Sequence, residues 1–118
     1  MFPIRLTAAL ALLAAGLFLF PPLLAAEGEV PDLGDAVLGE RERIDEGREI
    51  FQEQCSLCHG RSAYPGKAPR LTPARYSREF VYDRVANGFR DMPAWGEAFS
   101  QEELVSIVAY IMSDRFSN

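Results

Sequence analysis

The chain has 118 residues and a formal net charge of −5, with two cysteines and one histidine, which bounds it to one ordinary domain. A net-negative chain repels a polyanion, so nucleic acid is excluded as a partner. The acid is unevenly spread: residues 27–53 hold ten acidic side chains against Arg41, Arg43 and Arg48, whereas residues 54–118 hold seven against eight basic ones.

Residues 1–26 carry Arg5 near the start, continue through an apolar run over residues 6–20 and end on Ala25 and Ala26 before Glu27. That order is the pattern of a secretory signal peptide cut after Ala26. The uncharged stretch 6–26 also has the length of a membrane anchor, a reading that Pro21 and Pro22 disfavour by breaking a helix. Either way the rest is exported, and membrane contact is expected only if residues 6–26 are retained. The 92 residues from Glu27 onward bury a modest core and need something added to it.

Residues 27–39 mix acid with Gly28, Pro31, Gly34 and Gly39 and read as a flexible acidic arm. The functional domain is therefore expected over residues 40–118. From residue 40 to 55, Ile44, Gly47, Ile50, Phe51 and Cys55 recur at helical intervals among charges and predict an amphipathic helix. Residues 61–76 carry Pro65, Gly66, Pro69 and Pro73 and predict loop. A second helix follows Ser77 as N-cap, with Phe80, Val81 and Val85 as its stripe and Asn87–Gly88 as its stop. After another loop, Ser100 and Glu103 form a capping box ahead of Leu104, Ile107, Val108 and Ile111. There is no alternating strand pattern and no repeat, so the domain reads as all-α, three to four helices with long loops.

Both cysteines and the sole histidine lie in the stretch CSLCH, residues 55–59. A structural zinc site needs four ligands, and only three are present. A thioredoxin-like pair needs a βαβ setting. A plain disulfide leaves His59 unexplained. Covalent haem attachment accounts for all three: Cys55 and Cys58, one helical turn apart, reach the two vinyl groups on one porphyrin edge, and His59 binds the iron. One haem c, held by two thioether bonds, is the expected cofactor, with the helices and loops wrapped around it.

The iron's other face has no second histidine to take it. Met1 belongs to the leader and Met112 reads as a core side chain of the last helix. Met92 stands in a loop, 33 residues after His59, with its backbone direction limited by Pro93. His59 and Met92 are thus the expected iron ligands, the alternative being an open or weakly occupied sixth position beside an incidental Met92. His/Met ligation raises the reduction potential and suits electron transfer.

These residues resemble the class I cytochromes c, small monohaem carriers of bacterial periplasms. The likeness covers residues 43–115 and includes Gly47 and Phe51, CSLCHG, KAPRL, NGFRDMPAWG and VAYIMSD. It implies that Gly47 lets the first and last helices cross against Val108, Tyr110 and Ile111. It further implies that the Pro69 carbonyl accepts from the second nitrogen of His59 and that Leu71 touches the haem face. Trp95 is a candidate donor to a haem propionate or a packing residue; Tyr64, Arg70 and Arg75 are further propionate candidates.

The expected function is that of a monomeric, periplasmic one-electron carrier between redox protein partners such as a dehydrogenase, reductase or oxidase, with no catalytic residue of its own. Two alternatives stay open: a haem sensor or catalyst with an open sixth site, and a subunit dedicated to one dehydrogenase. Arg61, Lys67, Arg70, Arg75 and Arg78 come after the haem motif and are candidates for a basic rim that attracts an acidic partner.

Overall fold

The computed structural model describes residues 31–61 and 65–116. The leader, residues 1–26, and Tyr64 lie outside these. In chain order the elements are α1 (Asp35–Leu38), α2 (Arg41–Ile50), a π-helical segment (Phe51–Cys55), α3 (Ser56–His59), a 3-10 turn (Pro73–Arg75), α4 (Arg78–Asn87) and α5 (Gln101–Met112). Among the described residues there is no strand, only an isolated bridge between Phe89 and Met92. No helix among them is long and apolar enough to cross a membrane.

The helix expected over residues 40–55 runs on to His59, and its second half departs from regular α geometry. The π segment takes in one extra residue per turn and re-aims the CSLCH motif at its end, so the period counted back from Cys55 does not carry through Phe51. Ser56 Oγ donates to the Gln52 carbonyl at 2.6 Å within this segment, satisfying an acceptor where the ladder changes register.

The core is organised by the packing of α2 against α5. Gly47 is buried there, and a Cβ built on it would overlap the Ser106 carbonyl oxygen, so only glycine permits this approach. Ser106 is fully buried, and its hydroxyl donates to the Glu46 carboxylate at 2.6 Å. Arg43 spans the crossing from outside, donating to Glu102 at 2.8 Å. Below the crossing, Phe51, Tyr110 and Phe116 meet edge to face with centroids 5.0 to 5.6 Å apart, the arrangement ring quadrupoles favour.

The two helix starts read from the sequence are present. Ser77 Oγ accepts from the Phe80 N–H at 3.2 Å at the head of α4. Ser100 and Glu103 close a reciprocal capping box on α5, with Ser100 N–H donating to the Glu103 carboxylate at 2.7 Å. Met112 packs against the core, as its place on α5 suggested.

Residues 33–39 depart from the expected loose arm. Asp32 accepts from the Gly34 N–H at 2.8 Å and starts a turn; α1 comes next and packs on α5. Leu33 and Leu38 are buried in the main core. Arg78 fastens the segment, donating to the Leu33 carbonyl at 2.9 Å and pairing with the Asp35 carboxylate. Two buried leucines outweigh the disordering bias of the glycines and acid around them.

Candidate haem-binding site

The helical run ends on the CSLCH stretch: Cys55 closes the π segment, and Cys58 and His59 lie in α3. Cys55 is half-buried and Cys58 is exposed, and no disulfide joins them. Burial, with a smaller push from Cys58, raises the Cys55 thiol to about 11. It is therefore protonated at neutral pH, whereas a thioredoxin-like pair depends on a stabilised thiolate. Among the described residues no three His, Cys, Asp or Glu side chains converge as a metal-holding group.

Gly60 turns the chain out of α3 with φ 81° and ψ 160°, a backbone state that glycine adopts without strain. The loop beyond it then folds back onto the motif. Ala68 N–H donates to the Cys58 carbonyl at 2.9 Å. Gly66 lies so close that a Cβ there would overlap the same carbonyl oxygen. Gln52 holds the loop's start, donating from Nε2 to the Arg61 carbonyl at 2.8 Å.

This fold-back sets Pro69 beside His59. Burial lowers the His59 pKa below its ordinary value, and the Pro69 carbonyl opposes that with a smaller rise. That direction favours the neutral ring, the state in which a nitrogen lone pair can bind a metal. Nδ1 is buried with no hydrogen-bond partner. With Nδ1 turned inward, Nε2 is the nitrogen left for a ligand. The ring centroid lies 6.5 Å from that of the fully buried Phe51, so the imidazole is placed by the core.

Met92 comes from a loop fixed at both ends to α4. Its N–H and carbonyl exchange hydrogen bonds of 3.0 Å with Phe89. Gly88, at φ 71°, leaves no room for a Cβ beside the Met92 carbonyl. Downstream, Trp95 N–H donates to the Val85 carbonyl at 3.0 Å and Gly96 N–H to the Ala86 carbonyl at 2.9 Å. Met92, Leu71, Trp95 and Cys55 are partly buried and packed against one core. Trp95 stacks on Phe99 with centroids 5.4 Å apart.

Two thiols a helical turn apart, a histidine with its inner nitrogen buried and a loop methionine on the same core form a donor set that fits a covalently attached haem. Sequence reasoning missed Gly66 and Gln52, which hold the Pro69 loop in place. A glycine inside an otherwise proline-rich loop was the available signal for Gly66; nothing local marked Gln52.

Residues 42–111 match the family described as cytochrome c oxidase, cbb3-type, subunit III. The chain is 31% identical over 74 residues to cytochrome c6 of Euglena gracilis, covering 55% of this chain and 85% of that protein. It is 28% identical over 80 residues to cytochrome c6 of Bryopsis maxima, covering 60% and 91%. With cytochrome c6 of Gracilaria tenuistipitata var. liui it shares 29% over 77 residues, covering 59% and 71%. The all-α fold, the haem-fitting donor set and these matches agree, and the chain belongs to this family of class I c-type cytochromes, monohaem electron-transfer proteins that carry haem c.

Proposed function

We propose that Cys55 and Cys58 carry the haem thioethers, that His59 and Met92 are the two axial ligands, and that the protein is an exported, periplasmic carrier directed there by residues 1–26. The haem supplies a one-electron ferric/ferrous couple. The chain's own residues do the rest. Pro69 orients the His59 ring and adds to its basicity, while Leu71 supplies apolar contact that keeps water from the site. Met92 fills the remaining coordination position, so there is little reorganisation on electron transfer and little room for oxygen chemistry.

The observation that carries this reading is the joint placement of His59, with Nδ1 buried against the Pro69 loop, and Met92, presented by a hairpin fastened to α4. Spectra of the haem-loaded protein test it. The oxidised form should show the weak sulfur-to-iron band at the red end of the visible range. Met92→Ala should lose that band, lower the potential and bind carbon monoxide rapidly when reduced. An unchanged spectrum in Met92→Ala would leave the sixth position to something else.

The partner's charge is suggested by the chain's own. Residues 61–90 carry seven basic side chains and two acidic ones, against the chain's net −5. Arg61, Lys67 and Arg75 are exposed, whereas Arg78 is engaged by Leu33 and Asp35. A redox protein with an acidic face fits this segment, and its electron-transfer rate should fall as salt rises. The family description favours a second reading, a cytochrome that works docked to an oxidase complex. Co-purification with such a complex at physiological salt would separate it from a diffusing carrier.

A further inference from the structure

Phe89 is 52% exposed and Phe80 is 44% exposed. Large aromatic side chains at such positions need a reason beyond core packing. Each is gripped by arginine. The Arg84 guanidinium lies over Phe80 at 4.9 Å and over Phe89 at 4.5 Å. Arg90 covers Phe89 as well, at 5.1 Å from the ring centroid. Tyr76 extends the ladder, stacked on Phe80 with centroids 5.4 Å apart.

The ladder ends on the residue that holds Met92. Phe89 makes both backbone hydrogen bonds to Met92, so whatever fixes Phe89 fixes the loop's upstream arm. The turn between them includes Arg90 at φ 53°, a left-handed conformation that costs a non-glycine residue energy and needs outside support. Downstream, the same loop is tied to α4 through backbone bonds from Trp95 and Gly96. Met92 thus hangs between a backbone anchor and a side-chain anchor, both on α4.

We infer that Arg84 and Phe89 are positioning residues that set how firmly Met92 holds its place as an axial ligand. The inference rests on the reading of Met92 as that ligand. A brace of this kind acts on a competition: loosening it lets an added ligand displace Met92 more readily, while the global fold, which rests on α2 and α5, hardly changes. Cation–ring contacts at exposed sites are individually modest, and two of them lost together correspond to a change of about fivefold to thirtyfold in that competition.

The test uses the oxidised haem-loaded protein and imidazole as the competing ligand, monitored by loss of the sulfur-to-iron band. Arg84→Ala and Phe89→Ala should each bind imidazole about fivefold to thirtyfold more tightly than the parent, with the band present before addition and the unfolding midpoint nearly unmoved. Phe89→Trp, which keeps an aromatic face for both guanidiniums, should behave like the parent. Phe89→Leu, which keeps the apolar bulk without the ring, should behave like Phe89→Ala. Parent-like imidazole affinity in Arg84→Ala, Phe89→Ala and Phe89→Leu, while Met92→Ala abolishes the band, would overturn the brace and leave the ligand assignment standing. A band that persists in Met92→Ala would overturn the ligand assignment and the brace with it.

Discussion

The helical run from Arg41 to His59 behaves differently at its two ends. Around Gly47 its partners on α5 are sealed from solvent: Ser106, Ile107 and Val108 have no exposure at all. Eight residues past Ile50, Cys58 is exposed, and its neighbour Leu57 is 76% exposed. At the first end the sequence is constrained by volume, because nothing larger than hydrogen fits at Gly47. At the second, on the proposed haem attachment, it is constrained by chemistry, because two sulfurs and an imidazole must face one way. One element therefore serves as scaffold and as cofactor bed, and the two ends should respond to substitution in different observables.

The sharpest way to break this contrast is Gly47→Ala. The added Cβ meets the Ser106 carbonyl and the Ile107 nitrogen, backbone atoms that cannot rotate away. The helices must part, at a cost of about 3 kcal/mol, the upper end of typical overpacking penalties. Denaturant unfolding of the haem-loaded protein should show that loss, while the spectrum of the folded fraction stays that of the parent. A parent-like midpoint would remove shape exclusion as the basis of the crossing.

At the other end, Gly66→Ala should act in the reverse manner. Its Cβ would overlap the Cys58 carbonyl, so the loop must swing away and take the Pro69 carbonyl from His59. Stability should fall by about 1 kcal/mol, since the loop is at the surface. The potential should rise, because a less basic imidazole stabilises the ferric state less well. A changed midpoint with an unchanged potential would mean that the loop packs the motif without tuning it.

What could be read from the chain depends on the range of each interaction. CSLCH stood out because its three groups are contiguous, and the Ser100–Glu103 box was legible because capping acts over one turn. The likeness to class I cytochromes c supplied Gly47 at the crossing with the last helix, but its close contacts are Ser106 and Ile107 in place of the expected Val108, Tyr110 and Ile111. Leu33 and Leu38 were not legible. They are five apart in a stretch of glycine and acid, α1 is a single turn, and their burial depends on α5 and on Arg78, far along the chain. The π segment escaped for another reason: one extra residue in a turn leaves composition untouched and only shifts the period. The grip of Arg84 on Phe89 spans a helix end and a positive-φ turn, so no fixed spacing announces it.

The smallest expected effect bears on α5, the element shared by both ends. Ser100→Ala removes the hydroxyl that accepts from Glu103 N–H at 3.3 Å and should cost about 1 kcal/mol at neutral pH, as N-cap losses do. The box also carries a pH signature. The Ser100 backbone N–H, and then its hydroxyl, hold the Glu103 carboxyl below its ordinary 4.5. A carboxylate with a depressed folded-state pKa contributes stability that is fully present above the unfolded value and is lost as pH falls through the folded one. The difference between the parent and Glu103→Gln should therefore be largest at neutral pH and shrink below about pH 4. Unfolding midpoints of the two proteins, measured from pH 7 down to pH 3, check the sign. A gap that widens in acid would mean that the Glu103 carboxylate is not what completes the cap.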